Sequence, residues 1–359
     1  MTEDRLAGVR KRIDAIDGEI LRLISERAAC AKEVAEIKTA VGDSDFYRPG
    51  REAAVLRRIK ARNPGPMGDE QMARLFREIM SACLALEQPL SVAFLGPAGT
   101  FTQAAAIKHF GHAVNTVAVG DIGDVFREVE ADSCHYGVVP VENSTEGVVN
   151  HTLDMFIRSP LRIAGEVSLR IHHHLLSREQ ALAAIQTVYS HQQSLAQCRV
   201  WLDRHLPCAS RIPVGSNAEA ARLAAEQPQT AAVAGEAAAD IYDLAILKSC
   251  IEDEPGNTTR FLVIGGDDGR PSGDDKTSLL LACRNEAGGL HALLSPLAKH
   301  SISMTRIESR PSRRGVWDYV FFVDIVGHRE DDVIADALAH LRKESLLFKI
   351  LGSYPKAVL

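Results

Sequence analysis

Two cationic side chains, Arg27 and Lys38, lie on what the sequence predicts to be the apolar face of one long helix. Apolar residues recur every three or four positions across residues 6–41, and Arg27 occupies the one position where the pattern lacks an apolar side chain. Lys38 lies about 20° from Arg27 around a helix. Two inward-facing cations indicate a pocket for an anion. The alternative is an isolated arginine that extends to solvent or pairs with a neighbouring carboxylate.

The length of this helix indicates that it packs against a second copy of the chain. The apolar pattern over residues 6–39 corresponds to about 50 Å of helix, too long for a small domain to cover. Arg10 lies about 100° from Arg27 and cannot face the same pocket from the same helix, whereas an antiparallel partner helix would bring it there. Two shorter helices are predicted at 51–61 and 69–86, each preceded by Pro and Gly residues.

Eight polar residues form a recognisable set in this region: Arg10, Arg27, Lys38, Arg48, Arg51, Glu52, Cys83 and Glu87. The set resembles that of the all-helical, AroQ-type chorismate mutases, and the resemblance covers residues 1–90. In that family the aligned positions bind the two carboxylates, the hydroxyl and the ether oxygen of chorismate, and a second subunit supplies the position of Arg10. The implied Claisen rearrangement needs a charged, shaped pocket and no cofactor.

Three members of the set depart from the best-known enterobacterial enzyme. Arg48 and Cys83 stand where that enzyme has Asp and Ser, so both are carried over only as contacts. Glu87 stands in place of Gln, and a carboxyl group must be protonated before it can donate a hydrogen bond to an ether oxygen. We therefore expect the rearrangement to slow as pH rises.

Residues 91–266 alternate short apolar runs with helical patterns, which is typical of an α/β domain with substantially parallel sheets. Strands are predicted at 91–95, 136–141, 163–169, 187–190, 211–214, 230–233 and 261–264. Four strand ends lead directly into hydroxyl or amide residues that can cap a helix, at 95–102, 142–147, 190–194 and 215–217. One such junction is ordinarily a helix cap, whereas four in one domain indicate a cleft for a small organic anion.

Three motifs follow one another in this segment: GPAGTFTQAAA at 96–106, VVPVENSTEGVV at 138–149 and NTTRF at 257–261. Together they resemble the prephenate dehydratases over residues 91–266. The resemblance implies two periplasmic-binding-protein-like lobes around an active site that expels the ring hydroxyl and CO₂ from prephenate. The family's essential threonine corresponds to Thr259, to which we assign hydrogen bonding or proton relay to the leaving group.

The same resemblance gives a set of expected cleft residues. Arg260 is either a structural arginine or a ligand of a substrate carboxylate. The other expected substrate contacts are Asn143, Ser144, Glu146, Ser190, His191, Ser216, Thr258 and Phe261. No metal site is expected at the histidine run 172–174, because no acidic or cysteine partner is evident nearby in the sequence. The seven cysteines are scattered and are expected to be reduced thiols, mostly in the core, without zinc or redox chemistry.

A polar segment at 265–276 is predicted to be a linker, and the remaining residues read as strand, helix, strand, strand, helix and strand. The predicted bounds are 277–284, 289–300, 302–308, 316–326, 331–343 and 348–353, the order of a ferredoxin-like plait. Gly288, Gly289 and Leu290 open the first helix, although glycines alone also fit a simple turn. The second predicted strand ends in the motif Glu308, Ser309, Arg310 and Pro311.

With the plait order, these two motifs resemble the ACT regulatory domain, in which they line an L-phenylalanine site between paired subunits. Gly289 replaces the usual Ala, which would leave room for the ligand. The resemblance implies feedback inhibition by L-phenylalanine, which requires the effector to bind the inactive arrangement better than the active one.

The composition limits the possible partners. The chain has 359 residues, with 41 Lys and Arg against 47 Asp and Glu, and a formal net charge of −6. This balance argues against nucleic acid or an anionic membrane surface as partner. No apolar run approaches the length of a membrane span, and the N-terminus lacks a signal-peptide pattern, so we expect a cytoplasmic protein. Residues 1–90 hold 16 of the basic and 15 of the acidic residues, which indicates a separate unit.

The sequence therefore predicts three domains, with an all-α domain at 1–90, a bilobed α/β domain at 91–266 and an α+β domain at 277–359, in a homodimer or larger homo-oligomer. The expected function is conversion of chorismate to prephenate and then to phenylpyruvate, without a cofactor. One rival is an amino-acid-sensing binding protein without turnover. Another is a dehydratase whose N-terminal helices serve only dimerisation. This alternative rests on Arg48 and Cys83, which replace the Asp and Ser of the best-known enterobacterial enzyme.

Overall fold

The computed structural model describes residues 2–42, 47–284, 286–311 and 319–359. The chain begins with three helices, α1 (Thr2–Ala40), α2 (Pro49–Arg62) and α3 (Asp69–Glu87). Helix α3 contacts both α1 and α2, so the predicted all-α region is confirmed. Among the described residues, no helix combines the length and the apolar character that crossing a bilayer requires.

Helix α1 keeps its apolar face exposed. Ile13, Ile16 and Ile20 leave 50%, 54% and 48% of their surface accessible. The helix has 39 residues and is about 58 Å long, whereas the 19 residues of α3 reach about half that distance. In the part of the chain that the structure describes, nothing else covers the N-terminal half of this face.

The first lobe of the central domain contains β1 (Ser91–Leu95), α4 (Phe101–Phe110), β2 (Asn115–Val119), α5 (Ile122–Glu130), β3 (Tyr136–Asn143), β4 (Gly147–Val148), α6 (Asn150–Arg158) and β5 (Arg162–Arg170). The second lobe contains β6 (His174–Ser177), β7 (Thr187–His191), α7 (Gln192–Gln197), α8 (Arg199–His205), β8 (Ser210–Val214), α9 (Asn217–Glu226), β9 (Thr230–Ala234), α10 (Glu236–Tyr242) and β10 (Ala245–Lys248). The chain then returns to the first lobe as β11 (Thr258–Gly265).

The two sheets are mixed rather than substantially parallel. The first has the order β2-β1-β3-β11-β5 and the second the order β10-β6-β9-β7-β8. Strand β1 is parallel to β2 and β3, and β7 is parallel to β8 and β9. Strand β11 runs antiparallel to β3 and β5, because the chain re-enters the first lobe from the second. The two lobes are thus joined by two crossovers, at 171–173 and 249–257.

Four strands of this domain are not predicted by the sequence pattern. Strands β2 and β10 lie at the edges of their sheets, β4 has only two residues and β6 has only four. Short edge strands are half-exposed and lack the continuous apolar run that marks a buried strand.

The C-terminal domain contains β12 (Asp275–Ala282), α11 (Gly289–Lys299), β13 (Met304–Pro311), β14 (Tyr319–Val326), α12 (Asp332–Glu344) and β15 (Leu347–Pro355). Its sheet order β13-β14-β12-β15, with antiparallel neighbours throughout, is that of the predicted ferredoxin-like plait. Residues 316–318 of the predicted third strand lie outside the described residues.

The predicted linker is not a free spacer. Arg57 of α2 donates hydrogen bonds to the carbonyl oxygens of Ser272 and Asp274, at 3.2 and 2.7 Å. Asp268 accepts a hydrogen bond from the backbone N–H of Ser353 at 3.1 Å. The segment therefore connects the N-terminal helices to the C-terminal sheet. The C-terminus also connects the C-terminal domain to the N-terminal helices, because Val358 and Leu359 pack against the small core of α2 and α3.

Candidate active sites

The first candidate site is a pocket of about 520 Å³ between α1, α2 and α3, called here the N-terminal pocket. Its lining includes seven of the eight residues in the predicted set: Arg27, Lys38, Arg48, Arg51, Glu52, Cys83 and Glu87. Arg10 is not among them. It lies on α1 about 25 Å from Arg27 along the helix, so it cannot reach the pocket of its own chain.

The pocket is strongly cationic. Four basic side chains and two carboxyls line it, so its formal charge is +2 when both carboxyls are ionised. Both carboxyls are shifted toward the neutral form by burial. Burial raises the pKa of Glu52, against the opposing effects of Arg77, Tyr47 and Arg27. Burial likewise raises the pKa of Glu87, against the opposing effects of Lys38, Arg27 and Arg51. The pocket therefore suits a dianion.

Glu52 is anchored from outside the pocket. Its Oε1 pairs with Nη1 of Arg77 at 2.6 Å, and both side chains are largely buried. Its Oε2 is buried and has no hydrogen-bond partner among the described residues. One oxygen is thus fixed by Arg77, and the other is a buried acceptor beside Tyr47.

Tyr47, which sequence reasoning missed, joins this pocket to the first lobe. Its side chain lines the pocket and packs in the same core cluster as Phe110 and Val138. Its hydroxyl lies 2.9 Å from Nε2 of His109, on α4. Burial lowers the pKa of His109 to about 3, with a smaller contribution from Arg77, so this imidazole is neutral at pH 7. An aromatic residue in the segment between two predicted helices carries no sequence signal for such a role.

The second candidate site is a cleft of about 600 Å³ between the two lobes, called here the interlobe cleft. Five predicted residues line it: Asn143, Glu146, His191, Ser216 and Thr259. They come from both lobes. In the first sheet, Asn143 ends β3 and Thr259 is the second residue of β11. In the second lobe, His191 ends β7 and Ser216 lies between β8 and α9.

Asn143 fixes the orientation of Thr259. The Asn143 amide nitrogen donates to Oγ1 of Thr259 at 2.7 Å and to Oδ1 of Asn257 at 2.8 Å. Its Oδ1 accepts from the backbone N–H groups of Thr145 and Glu146, at 2.9 and 3.0 Å. All four hydrogen-bonding positions of this amide are used. Because the Thr259 oxygen already accepts a hydrogen bond, its own O–H is left to donate into the cleft.

Three of the four predicted helix starts are present around the cleft. Thr100, His191 and Ser216 are the N-caps of α4, α7 and α9, and each side chain accepts a hydrogen bond from a backbone N–H of its helix. The prediction of a helix start at the fourth junction is wrong, because residues 144–146 form a turn between β3 and the short strand β4. Asn143 caps this turn instead of a helix.

Four predicted contacts lie outside the lining of the cleft. Ser144 accepts from the backbone N–H of Thr258 at 3.0 Å, and Thr258 donates to the Gly256 carbonyl at 3.2 Å. Ser190 is fully buried, and its hydroxyl, which has one hydrogen to donate, lies 2.6 Å from the Val233 carbonyl oxygen and 2.9 Å from Oδ1 of Asn217. Phe261 belongs to the core of the first lobe. These residues support the cleft from behind.

Arg260 also points away from the cleft. This orientation favours a structural role over binding of a substrate carboxylate. Its Nε, Nη1 and Nη2 contact Glu166 at 2.9 Å, Asp324 at 2.6 Å and the Tyr354 hydroxyl at 3.0 Å. Asp324 and Tyr354 belong to β14 and β15 of the C-terminal domain. Because successive strand residues face opposite sides, Thr259 faces the cleft and Arg260 faces the C-terminal sheet.

Several residues that line the cleft were not singled out in the sequence: Thr100, Phe101, His173, Gln193, Ser194, Gln197, Asn217 and Asn257. Gln197 connects three other lining residues. Its oxygen lies 2.8 Å from Nε2 of His173 and 3.2 Å from the Asn257 amide nitrogen, and its amide nitrogen donates to Glu146 at 3.3 Å. The SHQQS junction at 190–194 includes Gln193 and Ser194, whereas Gln197 lies beyond it.

The histidine run has the neighbours that sequence reasoning missed. Nδ1 of His172 lies 2.8 Å from the Glu252 carboxylate and 3.6 Å from the Cys250 sulfur. These residues lie on the two crossovers between the lobes, about 80 residues apart in the chain, so their proximity could not be read from the sequence. The cysteines are all free, but only Cys83, Cys134 and Cys198 are buried, so the expectation that most lie in the core is wrong.

The two motifs of the expected effector site lie at the same end of the C-terminal sheet. Leu281 pairs with Phe321, which pairs with Ser309, so the loop after β12 and the end of β13 are separated by one strand. Gly288 has a left-handed φ of +84°, and Leu290 is half-exposed on the first turn of α11. Glu308 and Pro311 lie on the edge strand β13.

Two details of this region differ from expectation. A Cβ on Gly289 would lie 2.5 Å from the Arg284 carbonyl oxygen, so glycine is needed there for the turn itself and not only for ligand space. Arg310 pairs with Asp154 of helix α6 at 2.7 Å, so its guanidinium contacts the central domain.

The chain matches three family models in order: chorismate mutase type II over residues 9–88, prephenate dehydratase over 92–269 and ACT domain over 277–342. A bifunctional chorismate mutase/prephenate dehydratase of Pseudomonas aeruginosa is 56% identical over 362 residues, which cover 99% of each chain. That of Escherichia coli (strain K12) is 32% identical over 383 residues, covering 99% of this chain and 97% of the other.

Among solved structures, a prephenate dehydratase in complex with L-Phe from Arthrobacter aurescens is 34% identical, with a TM-score of 0.69, and the match covers 74% of this chain and 90% of that one. The full-length identities and the order of the three matched models agree with the fold. The chain therefore belongs to the family of bifunctional chorismate mutase/prephenate dehydratases, with an N-terminal chorismate mutase, a central prephenate dehydratase and a C-terminal ACT domain.

Proposed function

We propose that the N-terminal pocket converts chorismate to prephenate, that the interlobe cleft converts prephenate to phenylpyruvate, and that L-phenylalanine inhibits the chain through the ACT domain. The working units are residues 1–90, 91–266 and 277–359. The observation that carries the proposal is the pairing of each family match with a lined cavity of suitable chemistry: a cationic pocket in the first unit and a hydroxyl- and amide-lined cleft in the second.

In the N-terminal pocket, catalysis is positioning and charge stabilisation. The rearrangement breaks the ether C–O bond and forms a C–C bond within one molecule, so no group needs to attack or exchange a proton. Arg27, Arg51 and Arg48 hold the carboxylates, and the second oxygen of Glu52 accepts from the substrate hydroxyl. Lys38 and protonated Glu87 donate to the ether oxygen as negative charge grows there. Cys83 shapes the wall beside them.

The pocket is completed by a second copy of the chain. Arg10 lies too far along α1 to reach its own pocket, and the exposed apolar face of the same helix needs a cover. Antiparallel packing of two α1 helices would bury that face and place the partner subunit's Arg10 over the pocket. A homodimer is therefore the smallest active unit for the mutase. The free cysteines are in keeping with action in the reducing cytoplasm.

In the interlobe cleft, the ring carboxylate leaves as CO₂, its bonding electrons enter the ring, and the ring hydroxyl leaves with a proton as water. The free O–H of Thr259 donates to that leaving hydroxyl, with Asn143 holding the threonine oxygen. Glu146 follows Asn143 in the same turn, its carboxylate reaches Gln193 and Gln197 of the second lobe, and it can return a proton to Thr259 through water. The N-termini of α4, α7 and α9, capped by Thr100, His191 and Ser216, face the substrate carboxylates.

The effector site is assigned to the end of the ACT sheet where Gly288, Gly289 and Leu290 face the end of β13. Strand β13 is an edge strand, which leaves its outer side available to a second ACT domain. The L-Phe complex of the related dehydratase supports this assignment. Ser309→Ala combined with Gly288→Val should abolish inhibition by phenylalanine. Unchanged inhibition would place the effector elsewhere.

One coupled assay tests the whole proposal. Chorismate is supplied to the purified chain, its consumption and the appearance of phenylpyruvate are followed with and without phenylalanine, and prephenate is supplied in a parallel reaction. We expect turnover from both substrates, and inhibition of phenylpyruvate formation by phenylalanine. Turnover of prephenate alone would mean that the mutase helices serve only dimerisation, and no turnover of either would leave a binding protein.

A further inference from the structure

Two ion pairs of opposite polarity join the ACT sheet to the strands that carry Asn143 and Thr259. Glu142 of β3 pairs with Nε of Arg306 of β13, at 3.2 Å. Arg260 of β11 pairs with Asp324 of β14, at 2.6 Å. Within the first sheet, Glu142 and Arg260 are direct cross-strand neighbours, and within the ACT sheet Arg306 and Asp324 are as well. The four side chains therefore form a charge quartet in which each domain presents one acid and one base.

Each central-domain member of the quartet directly adjoins one member of the catalytic pair. Glu142 precedes Asn143 on β3, and Arg260 follows Thr259 on β11. Asn143 and Thr259 are themselves cross-strand neighbours, joined by the 2.7 Å hydrogen bond between their side chains. Because successive residues of a strand face opposite sides, one face of this strand pair presents the catalytic residues and the other presents the quartet.

The quartet is shielded from solvent on the ACT side. The side chains of Arg306 and Asp324 are 11% and 6% exposed, and that of Arg260 is 15% exposed. Asp324 also accepts from the Ser278 hydroxyl at 2.6 Å, and Glu166 bridges Arg260 to Lys276 of β12. The Glu142 side chain is 41% exposed, so the cost of breaking a pair falls mainly on the ACT side, where Arg306 or Asp324 would stay buried without its partner.

We propose that Glu142 and Arg306 are positioning residues for the dehydratase, and that the ACT domain holds the Asn143–Thr259 pair in register through this quartet even without effector. The inference rests on the proposed role of Thr259. A displacement of a reacting group by about 1 Å can cost about a hundredfold in rate, so a strand held less firmly should lower kcat. Arg306 is two residues from Glu308, so the strand that carries the effector motif also carries this contact.

The chain offers a matched control for the test. Asp154 and Glu142 are both central-domain carboxylates paired with an arginine of β13, Arg310 and Arg306 respectively. Asp154 lies on helix α6 and does not adjoin either member of the catalytic pair. In the full-length chain without phenylalanine, we expect Glu142→Gln to lower dehydratase kcat by about tenfold, with a smaller change in KM, and Asp154→Asn to change kcat by less than about twofold. Equal effects of the two variants would overturn the proposal.

Charge reversal supplies a readout that a merely structural role would not give. Glu142→Arg and Arg306→Glu should each lower dehydratase kcat by more than about tenfold, and the double reversal should recover kcat to within about threefold of the original chain. No recovery in a double variant that retains full mutase activity would contradict the proposal. The mutase activity of each variant reports whether the chain has folded and dimerised. If the double variant loses mutase activity, the comparison of Glu142→Gln with Asp154→Asn tests the proposal without it.

Failure of this proposal is distinguishable from failure of the proposed function. If Thr259→Ala retained dehydratase activity, the assignment of the active site would be wrong. If Thr259→Ala is inactive while Glu142→Gln behaves like Asp154→Asn, the active site stands and only the positioning role of the quartet is wrong.

Discussion

The N-terminal pocket and the interlobe cleft face the same electrostatic problem and meet it with different groups. Chorismate and prephenate are both dicarboxylates, and the product of the first site is the substrate of the second. The pocket presents four Lys and Arg side chains. Among the described residues that line the cleft there is no Lys or Arg, and the polar groups are amides, hydroxyls, two histidines and one carboxyl.

The chemistry of the two reactions explains the difference. In the rearrangement both carboxylates persist, so cations can hold them throughout, and in the proposed mechanism Lys38 stabilises the growing charge on the ether oxygen. In the dehydratase the ring carboxylate must lose its charge as CO₂. A cation held against it would stabilise the substrate more than the transition state and would slow the reaction. Backbone N–H groups and neutral side chains bind the carboxylate less strongly and release it more easily.

The largest expected effect is loss of the dehydratase activity without any change in the mutase activity. Thr259→Ala removes the hydroxyl that Asn143 holds at the cleft, and loss of a positioned proton donor typically costs a factor of about 10² to 10⁴. Phenylpyruvate formation from prephenate should fall by that factor while chorismate consumption is unchanged. Steady-state rates for both substrates on one protein preparation measure this. A parallel loss of both activities would contradict two independent sites.

The converse change should affect only the mutase. Lys38→Met removes a cation beside the ether oxygen, and we expect chorismate turnover to fall by about 10² to 10³, the cost typical of a lost charge-stabilising donor. Lys32→Met is the matched control, because Lys32 lies on the same helix, is exposed and is absent from the lining of the pocket. Dehydratase rates should be unchanged in both. Similar losses in the two variants would mean that the helix as a whole had been disturbed.

The pH dependence of the mutase should reveal the protonated state of Glu87. Burial raises the pKa of this carboxyl, so it keeps its proton to a higher pH than an exposed glutamate. The proton is present below that pKa and is lost as pH rises through it, and mutase kcat/KM should then fall by up to about tenfold per pH unit. Glu87→Gln should flatten this decline, since an amide donates at every pH. Parallel profiles for the two proteins would disprove the role.

The sequence predicted the composition of the N-terminal pocket better than that of the cleft, for a physical reason. Arg27, Lys38, Arg51 and Glu87 lie on helices, where regular spacing determines which residues share a face. The cleft is built at strand ends and turns, where one residue decides whether a side chain faces the substrate. Thr259 and Arg260 are neighbours in sequence, yet one faces the cleft and the other the ACT sheet.

Contacts between distant segments could not be read from the sequence at all. The quartet joins residues 142, 260, 306 and 324, and Tyr47 meets His109 across the boundary between two domains. Each of these side chains is an ordinary polar or aromatic residue in its own local pattern. Only the packing of the three domains gives them partners, which is also why the polar segment 265–276 was expected to be a free linker.

The smallest expected effect, on salt dependence, bears most directly on the difference between the sites. Added salt screens charges that remain accessible to water, and the Debye length falls from about 10 Å at 0.1 M to about 3 Å at 1 M. Arg27 and Arg51 are exposed, so attraction of chorismate to the pocket should weaken as salt is added. Between about 0.05 M and about 0.5 M potassium chloride, mutase kcat/KM should fall by about fivefold, whereas dehydratase kcat/KM should change by less than about twofold.

Because both rates are measured on the same chain, a general effect of salt on folding would lower them together. Equal slopes would mean that the cleft also attracts its substrate with accessible cations, and the contrast between side-chain charge and neutral donors would then be wrong.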